Sequence, residues 1–198
     1  MIENAKRKRD GRLKLSPRYN EKDWNDAFNG REAWDTAINI VEDRIKGRWL
    51  DHADRLLDED HSGFAILALD CIVLESLWGF MNGKAVPMGG EQRVYRDMLM
   101  GFGFDNTQSD SFRCMVRNGI MHDAETRERW LVGKTHPSDA IIRKCKNGDV
   151  ELNRTKFHEA LKATFQDWLA KLRGGHAGLR GKMRERMTEI IDRHYNGR

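Results

Sequence analysis

Arg117 and His122 lie five residues apart in the stretch 111–122, with Asn118 directly after the arginine. A histidine moves protons near neutral pH. An arginine offers a fixed charge and a planar fork of donors, which suits the phosphorane formed when a phosphodiester is attacked. Together they could cut RNA. His122 would move the 2′-hydroxyl or leaving-group proton, Arg117 would stabilise the phosphorane, and Asn118 would position the phosphate or Arg117.

The surrounding pattern places these residues on an amphipathic helix. Phe112, Met115, Val116, Gly119 and Ile120 form an apolar stripe at helical spacing, with Arg117 and Asn118 at its margin. Five residues of straight helix turn through about 500°, leaving Arg117 and His122 roughly 140° apart. Either His122 lies past the last turn, or a second copy of the helix supplies the missing half. Gly119, without a side chain, would let two such helices approach closely.

Glu75 and Asp123 are the supporting candidates. Glu75 interrupts the most apolar segment, where an unpaired carboxylate is costly. It either lies on a wet stripe or pairs with Arg117 and holds its guanidinium. Asp70, five residues earlier, is on another face, so an acid–base dyad with Glu75 is not expected. Asp123 could orient His122 or face water. His61, His136, His158, His176 and His194 are scattered, and Cys71, Cys114 and Cys145 are far apart. Neither a metal site nor a disulfide framework is therefore expected, and no cofactor. Gly101, Phe102 and Gly103 lack the following Lys-Ser/Thr of a phosphate loop. No helix-turn-helix with a basic recognition helix stands out.

The elements that must position the site are mostly helical. Residues 1–22 are basic and poor in apolar periodicity, and read as a disordered tail followed by a single domain over 23–198. Helices are expected over about 31–57 (with Trp34, Ile38, Val41, Ile45, Trp49, Ala53 and Leu56 on one face), 62–81 and 91–100. The motif helix should then start at an N-cap on Ser109 or Asp110. The segment 62–81 is apolar nearly all round and should be the central helix. A small antiparallel β-hairpin is expected within about 130–153. Its turn at Asn147-Gly148 would set Lys146 opposite Asp149, Cys145 opposite Val150 and Lys144 opposite Glu151. Asn153 should cap a helix burying Phe157, Leu161, Phe165, Trp168 and Leu172. A last helix over 177–195 would bury Met183, Met187, Ile190 and Ile191.

The 198 residues carry 39% apolar and 33% charged side chains and a net charge of +4. That describes a soluble globular chain long enough to bury a sizeable core. Basic residues crowd both ends, from Lys6 to Arg18 and from Arg173 to Arg198. Such ends either contact phosphate backbones or solubilise the chain. No apolar leader follows the N-terminal charges, and Asp70 and Glu75 argue against a membrane span at 64–81. A cytoplasmic setting without membrane contact is the expectation.

The stretch 64–84 joined to 112–130, and within it above all 69–75 and 116–126, resembles bacterial HEPN-superfamily proteins, whose R-x4-6-H motif matches Arg117 and His122. It implies an α-helical bundle, here with the β-hairpin as an insertion and further C-terminal helices. It also implies a homodimer with facing motifs and metal-independent RNA cleavage leaving a cyclic phosphate. Toxin, phage-defence and RNA-processing roles go with it, so RNA and an antitoxin or defence partner are the expected partners. Some members have lost catalysis and act as dimerisation or binding modules.

Overall fold

The computed structural model describes residues 11–30, 32–134 and 140–196, and the chain is mainly helical with one small three-stranded sheet. Residues 1–10 and Arg198, which carry part of the expected basic ends, lie outside the described residues, as do Arg31, the expected start of the first long helix, and His136. Two compact units emerge. One is drawn from Met1–Arg48, Gly79–Ala85 and Trp168–Arg198, the other from Trp49–Trp78 and Val86–Asp167.

In the first unit the expected loose tail is corrected over residues 11–22. Leu15 is fully buried, Lys14 bridges to Asn20, and Ser16 Oγ donates to Asp43 Oδ2 at 2.7 Å. Helix α1 (Glu21–Phe28) follows, opened by a reciprocal capping box between Asn20 and Asp23. Asn20, Asp23, Trp24 and Ala27 carried that signal in the sequence, but the surrounding charges mask it. Helix α2 (Trp34–Ile45) continues through a π turn, Lys46–Leu50, into α3 (Asp51–Leu56). The π turn adds a residue to one turn. It carries the buried stripe from Ile45 to Leu50, five residues on, and leaves the expected Trp49 half-buried.

Helix α4 (Gly63–Asn82) holds Ile66, Leu67, Val73, Leu74 and Leu77 fully buried. Each such side chain stabilises the fold by about 1.5–3 kcal/mol. By length and composition alone this helix could cross a membrane, with 56% of its most apolar window buried. Helix α5 (Glu91–Leu99) buries Val94, Tyr95, Met98 and Leu99. Helix α8 (Arg154–Arg173) buries Phe157, Leu161, Phe165, Trp168 and Leu172, and Asn153 Oδ1 accepts from the Lys156 N–H at its start. Helix α9 (Ala177–Asn196) buries Met183, Met187 and Ile191, with Tyr195 in place of Ile190.

The sheet has the order β1-β3-β2, from β1 (Trp130–Gly133), β2 (Ile142–Lys144) and β3 (Val150–Asn153). The hairpin between β2 and β3 is present with a register one residue from expectation: Arg143 faces Glu151 and Lys144 faces Val150. Gly148 at φ +88° explains the shift, because it closes a three-residue loop between Cys145 and Asp149, not a two-residue turn. The unit is also not purely antiparallel. β1 pairs with β3 in parallel, Trp130 beside Val150. A distant parallel partner leaves no turn signature in the sequence.

Candidate active site

The motif helix starts earlier than expected. Asp105 Oδ1 accepts from the Gln108 N–H at 2.7 Å, and Gln108 Oε1 accepts from the Asp105 N–H at 2.8 Å. Of the two expected caps, Ser109 is buried inside the first turn and donates to Asp105 O, while Asp110 binds Gln92 and Arg96. The helix runs as α6 (Asn106–Ser111), a π turn (Phe112–Arg117) and α7 (Asn118–Asp123).

Phe112 fixes this helix in its unit. Its ring stacks on Phe157 at 5.0 Å and meets Tyr95, Phe104 and Trp130 at 5.8–6.0 Å. Such pairs add about 0.5–1.5 kcal/mol each beyond simple burial. The Trp130 Nε1–H also donates to Ser111 Oγ at 3.0 Å, tying β1 to the helix.

Five residues beyond Phe112, the guanidinium of Arg117 is held from two directions. Its Nε–H donates to Glu75 Oε1 at 3.0 Å, and its Nη1 donates to Asn118 Oδ1 at 3.0 Å. Both side chains of the Arg117–Glu75 pair are 23% exposed. Tyr95 donates its hydroxyl to the same Glu75 oxygen at 3.0 Å. Burial opposes the Arg117 charge, but attraction and hydrogen bonding from Glu75 outweigh it and raise the guanidinium pKa. Burial pushes Tyr95 well above its ordinary range, so it remains a donor. Burial pushes the neighbouring Cys71 thiol up to about 12, which keeps it from serving as a nucleophile.

His122 sits in the last turn of α7, exposed, and its ring makes no hydrogen bond to a described residue. α7 runs from Asn118 to Asp123 directly after Arg117, and on regular helix geometry five residues set Arg117 and His122 roughly 140° apart. Asp123 makes no hydrogen bond to His122 and feels it only as a nearby charge. Its carboxylate pairs with Arg127, whose hydrogen bond holds it below the usual carboxylate range.

Gly119 needs a different account from the expected close approach of two helices. The chain turns at Ala124, in the left-handed region at φ +57°, and folds back across the helix. The Arg127 N–H donates to Met115 O at 2.8 Å. A Cβ on Gly119 would lie 2.4 Å from Glu125 O. Its missing side chain makes room for its own chain, so it is not an open surface for a dimer axis.

Comparison of the chain with family models, curated proteins and solved structures gave no match.

A second cluster lies apart in the same unit. His158, fully buried, has Nδ1 2.7 Å from Asp70 Oδ1 and Nε2 3.1 Å from Asp54 Oδ1, and Lys162 binds Asp54 at 2.6 Å. Burial disfavours a charged imidazole, but the two carboxylates outweigh it and raise the His158 pKa. Burial also raises Asp70, whose second oxygen is unpartnered. The pair therefore holds its proton to higher pH than either group alone. Burial pushes Asp54 up, yet Lys162 and His158 bring it below its ordinary value. Among the described residues no group of three His, Cys, Asp or Glu side chains is placed to hold a metal ion.

Nothing in the sequence marks Tyr95 as part of the Arg117 network, because its position on the α5 stripe reads as core. His158 gives no sign of its partners either, since Asp54 and Asp70 are about a hundred residues away.

Proposed function

We propose that the chain is a metal-independent endoribonuclease of HEPN type. Arg117 stabilises the phosphorane, Asn118 helps orient it, and His122 moves the proton. One observation carries this reading: the Arg117 guanidinium is pre-positioned by Glu75 on α4, next to the helix end that leaves His122 exposed. Arginine has five N–H donors. The bonds to Glu75 and Asn118 leave N–H groups over for a phosphate oxygen. Fixing the cation in advance removes reorganisation from the step it stabilises. Transesterification by the 2′-oxygen would form a cyclic phosphate and expel the 5′-oxygen, which takes up a proton.

The wide separation of Arg117 and His122 supports a homodimer in which each copy completes the other's site. The reading carries with it a cytoplasmic toxin or phage-defence role, with an antitoxin or defence protein as further partner. A second reading, a non-catalytic HEPN-like binding module, is favoured by the same ion pair. Glu75 already balances the Arg117 charge, which weakens its pull on a phosphate.

Incubation of the purified protein with mixed RNA in EDTA separates the two. The nuclease reading expects cleavage that is lost in His122→Ala, with the fold intact because the side chain is exposed. In Arg117→Ala the rate should fall on the order of 10²-fold or more. No cleavage but retained dimerisation supports the binding module. Cleavage that survives His122→Ala, or that requires added divalent metal, overturns the mechanism.

A further inference from the structure

We infer that the start of helix α4 is a phosphate-binding site, distinct from the Arg117 cluster. The side chain that carries this inference is Arg154, only 4% exposed. Its Nη1 donates to Ser62 Oγ at 2.6 Å and its Nη2 to Glu59 O at 3.0 Å, while Nε has no partner. Both acceptors are uncharged, and among the described residues no carboxylate balances the guanidinium. A buried charge without a counter-charge is expensive, and an anion placed against it relieves that cost.

An open cavity of about 510 Å³ lies beside it, lined by Arg154, Gly63, Lys134 and Asp60. α4 is twenty residues long, and its first-turn N–H groups are not satisfied within the helix. The residue before it, Ser62, turns its hydroxyl to Leu56 O and Glu59 O, not to those N–H groups. Gly63 lets Arg154 lie close against the start of the helix: a Cβ there would sit 3.0 Å from Val132 Cγ1 and 3.4 Å from Arg154 Cδ. A helix N-terminus, an uncompensated arginine and an exposed lysine converge on one cavity. Together they offer backbone donors, a fixed fork and a second cation, the chemistry that recognises a phosphate group. Asp60, also exposed, is the one lining carboxylate and works against the anion.

The test uses the full chain, titrated calorimetrically at constant ionic strength with inorganic phosphate and, separately, with a nucleoside 5′-monophosphate. Arg154 also holds the 59–62 loop, so the exposed residues are varied instead. One unit charge a few ångströms from the ligand contributes about 1 kcal/mol in a water-like medium, roughly a five-fold change in Kd. Lys134→Ala should weaken phosphate about five-fold, and Asp60→Asn should tighten it by a similar factor. Equal affinity for the two probes identifies the phosphate group alone as the ligand; tighter monophosphate binding identifies a phosphomonoester. No saturable binding of either probe at millimolar concentration overturns the site. So does binding that Lys134→Ala and Asp60→Asn leave unchanged.

Discussion

Gly119→Ala gives the sharpest check on how the motif helix is packed. The added Cβ would meet Glu125 O at 2.4 Å, Arg127 N at 3.2 Å and Arg127 Cγ at 3.3 Å. The nearest atom is backbone and must move by at least roughly 0.6 Å, an overpacking that costs about 1–3 kcal/mol. Residues 125–127 cannot yield cheaply, because Arg127 N–H is bonded to Met115 O and Thr126 Oγ1 to Trp130 O at 2.7 Å. The upper end of that range, about 3 kcal/mol, is therefore the expected strain. Alanine recovers about 1 kcal/mol of helix propensity over glycine, so the net loss is about 2 kcal/mol. For a chain of this size that lowers Tm by about 4–8 °C. Gly181→Ala in α9, whose Cβ would meet nothing within 4 Å, is the control and should gain up to about 1 kcal/mol. Thermal unfolding followed by circular dichroism reads both variants. A Gly119→Ala protein as stable as the parent would refute the packing argument. So would a loss that shrinks as protein concentration rises, since that would return Gly119 to an interface between copies.

Tyr95→Phe keeps the ring in the core and removes the hydroxyl that bonds Glu75 and the neighbouring Cys71 thiol; discounted for partial exposure, the loss should be about 1–2 kcal/mol in urea unfolding. For the His158 cluster the sign follows from the raised pKa values. His158 stabilises the fold below about pH 6.5, and that contribution is lost as pH rises through its higher folded value. Asp70, also raised, acts in the same direction from about pH 4 upward. His158→Gln should therefore flatten the fall of stability with rising pH, and parallel curves for variant and parent would reject the coupling. Light scattering should give the mass of a dimer; a monomer at high micromolar concentration would count strongly against a site shared between copies.

The sequence shows the helices because their signals are local. The apolar stripes of α4, α8 and α9 and the Asn153 cap needed only neighbours three or four residues away. Asn147 and Gly148 likewise revealed a hairpin, but dipeptide identity does not distinguish a two-residue from a three-residue loop. The parallel partner of β3, the burial of Leu15 and the Asp54–His158–Asp70 cluster all depend on contacts distant in sequence. At the candidate site, Arg117, Asn118, His122 and Glu75 stood out by residue type and setting. Gly119 was misassigned because an absent side chain reads the same whether the neighbour is another molecule or the chain's own return.

The π turn over Phe112–Arg117 fits one more residue than an α turn holds between the aromatic nest and the Glu75 pair. Deleting one residue between Phe112 and Arg117 would let that turn relax to ordinary α geometry, leaving Phe112 in its nest and Arg117 still facing Glu75. The spare residue is slack in the line: the turn absorbs its loss, and what lies on either side keeps its phase. α7 has no such slack, so a deletion between Arg117 and His122 would swing His122 by about 100° around the axis. Chains that differ by one residue within the π turn could therefore share the site, and chains that differ by one residue within α7 could not.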